Sequence, residues 1–150
     1  MSAPVEVFLS HSSTDREFAT RIGAVLESHG LPYWYSKRNI VGAQQWHDEI
    51  GKALARCDWF LLILSPAAVG SQWVKHELLY ALREKSYEEH IVVIEHQLAD
   101  DKKLSWTLRN YQWVDFQQDF ADGCRDLLRV WGMGYRGQVS APEVTPLGPA

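Results

Sequence analysis

Residues 57–66 read Cys57-Asp58-Trp59-Phe60-Leu61-Leu62-Ile63-Leu64-Ser65-Pro66, and from Trp59 to Leu64 the run is apolar without a break. Such a run offers no face to water, so it suits a strand covered on both sides, as in a parallel sheet. Val5 to Leu9 and Ile91 to Ile94 are nearly continuous runs of the same kind. Leu31 to Tyr35 and Tyr111 to Val114 are weaker and aromatic-rich, which places them nearer the sheet edges.

Between these runs the apolar period changes to that of helices. Phe18, Ile22, Val25 and Leu26 follow it, as do Trp46, Ile50, Ala53 and Leu54. Val74, Leu78, Ala81 and Leu82 mark a further helix, and Phe120, Cys124, Leu127, Leu128 and Trp131 another. Thr14 and Glu17 have the spacing of a capping box for the first helix, Gly30 stands where a glycine ends it, and Ser71 fits an N-cap. The segment from Lys102 to Arg109 follows neither period. Alternation of this kind predicts a doubly wound α/β sheet of about five strands.

The chain has 150 residues, 46% hydrophobic and 23% charged, with a net charge of −4 and 2 cysteines. This is the composition of one ordinary globular domain that folds without staples. The mildly acidic balance argues against general nucleic-acid binding. Cys57 and Cys124 form no CxxC pair, which speaks against a zinc ribbon or a disulfide scaffold. The N-terminus has no signal-peptide pattern, and no apolar run approaches the roughly 20 residues a membrane span needs. The expectation is a soluble, cytoplasmic protein. From Arg136 onward Gly137, Pro142, Pro146, Gly148 and Pro149 interrupt a stretch poor in large apolar residues. The predicted division is a domain over 1–135 and a Pro/Gly-rich tail or linker over 136–150, the latter leading to a sensor domain if the protein continues beyond Ala150.

Ligands of open parallel sheets bind beyond the carboxyl ends of the strands. There this chain offers Ser10-His11-Ser12-Ser13, the segment Ser36 to Gln45, and Ser65 to Ser71. The hydroxyl-rich first loop fits either simple helix capping or contact with anionic oxygens. Dinucleotide and P-loop glycine patterns are absent. A receiver domain would need acids after strand one and an aspartate ending strand three, where Ser10-His11 and Ser65-Pro66 stand. His11 and His76 fall near this cleft, and no His or carboxylate cluster has metal-ligand spacing. On the helix after strand three, Glu77 lies about 60° from the centre of the Val74/Leu78/Ala81 face, flanked by Trp73 and Tyr80. A carboxylate at the edge of a buried face between two aromatics can be a site residue, can pair with Lys75 or Arg83, or can simply face water. Trp59 and Trp131 read as core, whereas Trp34, Trp46 and Trp73 lie near the cleft loops.

Four blocks carry a family resemblance: Val7 to Ser12 with Asp15 behind; Gly30 to Tyr35 running on to Gly42 and Trp46; Cys57 to Pro66; and Ser71 to Leu78. In this order and spacing the chain resembles the Toll/interleukin-receptor (TIR) domain, in particular its bacterial NAD-cleaving branch, over about residues 4 to 132. The resemblance implies a flavodoxin-like parallel sheet of order 2-1-3-4-5 with helices on both faces. It makes Ser36 to Gln45 the BB loop through which TIR protomers assemble. The Trp-x-x-x-Glu pattern of the enzymatic members matches Trp73 and Glu77, which makes Glu77 the catalytic residue. By the same likeness Ser10, His11 and Ser12 line the cleft, Trp46 stacks on a ligand ring, and Arg38 meets phosphates. Tyr35, Ser71 and Trp73 complete the implied NAD-contacting set. Several enzymatic relatives carry an acid just after strand two, where this chain has Tyr35-Ser36-Lys37.

The implied function is cleavage of the nicotinamide–ribose bond of NAD, without a metal, to ADP-ribose or a cyclic isomer, by an assembly-activated anti-phage effector. A non-catalytic module that recruits other TIR domains is the alternative; the Trp73/Glu77 pair favours the enzyme. A nucleoside-processing transferase of similar fold would take nucleosides instead.

Overall fold

β3 (Trp59–Leu64) runs through the middle of a five-stranded sheet whose order is β2-β1-β3-β4-β5. The other strands are β1 (Val7–Ser10), β2 (Tyr33–Tyr35), β4 (Ile91–Glu95) and β5 (Gln112–Asp115), and every neighbouring pair is parallel. The computed structural model describes residues 2–35 and 43–137, with 43–46 as backbone only. The expected α/β fold and strand order are those observed. The expected loop Ser36 to Gln45 falls outside the described residues up to Gly42, and so do residues 138–150 of the expected tail.

The uninterrupted apolar run of β3 is explained by what covers it. Trp59, Leu61 and Ile63 point to one side, where α1 (Arg16–Ser28) and α5 (Phe120–Arg129) supply Phe18, Ile22, Leu26, Cys124 and Leu127. Phe60, Leu62 and Leu64 point to the other, where α2 (Ala43–Arg56) and α4 (Gln72–Arg83) supply Ile50, Leu54, Val74 and Leu78. All six β3 side chains are buried, and each such burial is worth about 1.5–3 kcal/mol. The same parity operates in β1. Val7 and Leu9 join the α1/α5 side and Phe8 the α2/α4 side, so the pleat carries Ser10 to the side of α4.

Three strands start later than their apolar runs, each for a hydrogen-bonding reason; before β5, Tyr111 N–H donates to the Leu108 carbonyl at 3.1 Å and so closes the preceding turn. The amides of Val5 and Glu6 donate to the Asp58 carboxylate at 3.0 Å, which keeps them out of the ladder. Leu31 N–H donates to the Leu26 carbonyl and Gly30 N–H to that of Glu27, a Schellman closure of α1. Gly30 adopts the left-handed conformation this closure needs, at φ 75°.

The start of α1 differs from expectation. Thr14 belongs to a 3-10 turn over Ser13–Asp15, and the helix begins only at Arg16. The Thr14/Glu17 capping box does not form, because Asp15 occupies the N-cap position and its side chain makes no cap bond. A short helix, α3 (Pro66–Val69), follows β3 directly, with Ser65 as N-cap and Pro66 in its first turn. Residues 101–103 and 108–110 form two 3-10 turns, which accounts for the missing period there.

At the far end, Tyr135 stacks on His29 with ring centroids 5.7 Å apart, and Arg136 N–H donates to His29 Nε2 at 3.0 Å. The chain therefore stays packed on the end of α1 as far as Arg136. Among the described residues no helix is long and apolar enough to cross a membrane.

Candidate active site at the carboxyl end of the sheet

Ser10 ends β1, and its side chain is fully buried on the side of α4. Glu77 sits in the second turn of α4 and is 2% exposed. Ser10 Oγ donates to Glu77 Oε1 at 2.6 Å, a length typical of a hydroxyl bonded to a carboxylate. A buried carboxylate without such a donor would be strongly unfavourable. The helical wheel puts Glu77 only at the edge of the buried face; the strand end beside it completes the burial. Among the described residues no ion pair joins Glu77 to Lys75 or Arg83, and at this depth it does not simply face water.

His11 follows, 1% exposed, with its ring 5.5 Å from that of Tyr35 at the end of β2. Tyr35 is half-buried, and its hydroxyl lies 3.3 Å from Thr20 Oγ1 on α1. Trp73, one helical turn before Glu77, is half-buried against the α2/α4 core. Its ring meets His47 of α2 at 5.6 Å and His76 at 5.7 Å, both edge-on. Trp34 lies beneath, 5.2 Å from Phe8.

Two further candidates use their hydroxyls within the fold. Ser71 Oγ accepts from Val74 N–H at 3.2 Å and so caps α4. Ser12 Oγ donates to Asp15 Oδ2 at 3.0 Å. Arg38 lies outside the described residues, as does the side chain of Trp46.

Sequence reasoning gave no role to a second polar cluster beside this one. Asp15 is 6% exposed, and its Oδ2 accepts from both Ser12 Oγ and Ser65 Oγ. His96, just past β4, approaches Asp15 Oδ1 at 3.8 Å and stacks on Phe18 at 3.9 Å. Burial lowers the His96 pKa below its ordinary value, an effect the Asp15 charge opposes and Arg21 reinforces. The Ser-Pro pair at 65–66, a cap followed by a proline, was the sequence signal for the α3 turn that completes this cluster. The two cysteines offer no nucleophile, since burial pushes both Cys57 and Cys124 up to about 12.

A clamp of strand ends around one buried, hydroxyl-bonded carboxylate can stabilise positive charge that develops at a bound ligand.

Comparison with known proteins gives this arrangement a context. The family model described as TIR domain matches residues 7–128. A 2′ cyclic ADP-D-ribose synthase of Bacteroides thetaiotaomicron, BtTIR, is 25% identical over 104 residues, covering 68% of this chain and 36% of the relative. The NAD(+) hydrolase TirS of Staphylococcus aureus is 27% identical over 90 residues, covering 59% of this chain and 32% of the relative. The chain thus spans about a third of the length of these curated relatives. Among solved structures, the TIR domain of a Toll-related receptor from Hydra magnipapillata superposes with a TM-score of 0.67 at 17% identity, over 83% of this chain and 96% of that one.

Proposed function

This chain belongs to the TIR domain family, and from that premise we propose that it cleaves NAD at the nicotinamide–ribose bond, with Glu77 as the catalytic carboxylate. The observation that carries this reading is the buried Glu77 held by Ser10 at the carboxyl end of the sheet. The name of one curated relative, an NAD(+) hydrolase, supports NAD as the substrate, and that of the other, a 2′ cyclic ADP-D-ribose synthase, fits a product of such cleavage.

The chemistry needs little more than such a group. Nicotinamide in NAD is a pyridinium, so when the C–N bond breaks it takes the bonding pair and leaves as a neutral base. No general acid is required. Positive charge develops on the ribose, as in the oxocarbenium-like transition states of glycosidases. A carboxylate beside the ribose stabilises that charge more in the transition state than in the ground state, which is the condition for acceleration. Water then adds to the anomeric carbon and loses a proton, giving ADP-ribose; an adenine nitrogen adding instead gives a cyclic isomer. Tyr35 and Trp73, both half-buried, offer aromatic surface that positions the substrate, with Trp46 stacking on one of its rings, Arg38 meeting its phosphates, and Ser10, His11 and Ser12 lining the cleft.

The activity is controlled by assembly, in which the Ser36 to Gln45 segment of one protomer meets another, and the biological setting is a bacterial anti-phage effector. Incubation with NAD followed by chromatography tests the reading. Nicotinamide should appear together with ADP-ribose or a cyclic isomer, and the Glu77→Ala protein should release them slower by a factor on the order of hundreds. A Glu77→Ala protein as active as the parent would overturn the assignment.

A further inference from the structure

Asp15 occupies the N-cap position of α1, yet its side chain makes no cap bond there. Its carboxylate turns the other way, into the sheet, where it is 6% exposed. There Oδ2 accepts from two hydroxyls that belong to different loops. Ser12 lies two residues beyond Ser10, the residue bonded to Glu77. Ser65 follows β3 and caps α3 by accepting from Ala68 N–H at 3.0 Å. From α3 the chain passes through Gly70 and Ser71 straight into α4, which carries Glu77. One buried carboxylate therefore fastens both limbs of the Ser10–Glu77 pair.

A merely structural cap predicts a carboxylate facing the amides of the helix start. The observed carboxylate is desolvated instead, a cost that its two hydroxyl donors offset. Its partners are the loops after β1 and β3, with His96 after β4 on the remaining oxygen at 3.8 Å.

We infer that Asp15 is a positioning residue for Glu77: through Ser12 and Ser65 it fixes the distance and direction at which the Ser10 hydroxyl meets the Glu77 carboxylate. It touches neither substrate nor reacting atoms. The inference rests on Glu77 being the catalytic carboxylate, and it adds the residue that sets its geometry.

The test combines Asp15→Ala, Asp15→Asn, Ser12→Ala and Ser10→Ala. Asp15→Ala removes the shared acceptor and should lower kcat for NAD cleavage about tenfold to a hundredfold, with KM little changed. Asp15→Asn keeps one oxygen able to accept from both serines, so it should recover most of that loss. Ser12→Ala leaves the carboxylate and the Ser65 bond in place, and should show a smaller fall of the same kind should Asp15→Ala fail to fold. In the Asp15→Ala/Ser10→Ala double variant the two effects should not multiply, because both act through the same hydrogen bond. Carbon NMR of labelled Glu77 supplies a readout independent of turnover. Its titration midpoint should move upward in Ser12→Ala, which leaves the Asp15 charge in place, in the direction Ser10→Ala moves it, because each loosens a donor to the ionised form.

Multiplying effects with an unmoved Glu77 midpoint would mean that Asp15 acts only on stability, and would overturn the inference; so would an Asp15→Ala protein that matches the parent. The NAD reading fails by a different result, a parent no more active than Glu77→Ala. In that event the Glu77 midpoint still decides whether Asp15 controls the pair.

Discussion

Ser10 Oγ and Glu77 Oε1 stand 2.6 Å apart although 67 residues separate them in sequence. The contact exists because the pleat of β1 turns Ser10 toward the side on which α4 packs. A hydroxyl bonded to a charged group is worth ~1.5–3 kcal/mol. Ser10→Ala should therefore slow NAD cleavage about tenfold or more. Glu77→Ala and Glu77→Gln should each slow it by a factor on the order of hundreds, since the amide keeps the shape and loses the charge. Steady-state kinetics beside circular dichroism checks both points. Full activity in Glu77→Gln would sink the electrostatic role.

The helix–sheet order was legible in the sequence where burial is two-sided, because an unbroken apolar run as short as Trp59 to Leu64 suits a strand covered on both faces. Glu77 was legible through its spacing from Trp73, whereas its depth was not. Its helical angle alone leaves it at an edge, and only Ser10 from a distant strand closes over it. Asp15 was less legible still. A carboxylate followed by a helix reads as a cap, and nothing local says that it will turn toward Ser65, fifty residues away. His96 escaped for the same reason: its neighbour Phe18 comes from α1 and its partner Asp15 from the turn before it. Loop ends carry no period, so contacts among them appear only once the strands are in register.

Helix α5 comes close to the segment after β5 at Gly123. A Cβ built there would lie 2.6 Å from Phe116 Cγ. Phe116 is held by Phe18 edge-on at 5.7 Å and by Phe120 at 5.5 Å, so its ring has little room to yield. Alanine gains about 1 kcal/mol over glycine in a helix interior, against about 1–3 kcal/mol for forcing atoms into a packed core. Gly123→Ala should come out destabilised by about 1 kcal/mol, read from the urea midpoint. A raised midpoint would show that Phe116 relaxes freely.

His96 gives the fold an acid sensitivity whose sign follows from burial. Its folded-state pKa is lowered from the ordinary value of 6.5, so the unfolded chain takes up the proton more readily. The stabilising contribution is then complete above about 6.5 and is lost as pH falls below it. His96→Gln removes this titration. Between pH 7.5 and pH 5 the parent should lose more unfolding free energy than the variant does, as measured by urea denaturation at both values. Equal losses would mean that the Asp15 charge cancels the burial effect.

Control by assembly makes a prediction about concentration. The segment from Ser36 to Ala43 carries Lys37 and Arg38 next to the apolar pair Ile40-Val41, in a chain whose net charge is −4. A basic segment with an apolar pair suits contact with an acidic second copy, the charges guiding approach and the apolar atoms giving affinity. If a neighbour completes the site, a dilute preparation should be mainly monomeric and weakly active, and turnover per molecule should rise with protein concentration or crowding. Ile40→Asp places a carboxylate where burial is needed, and Gly42→Pro restricts the backbone at that point. Both should lower turnover at high concentration while leaving the thermal midpoint near that of the parent. The decisive comparison is specific activity from nanomolar to high micromolar protein, with sedimentation run in parallel. A flat profile, with both variants equal to the parent, would place the whole site within one chain and exclude control through this segment.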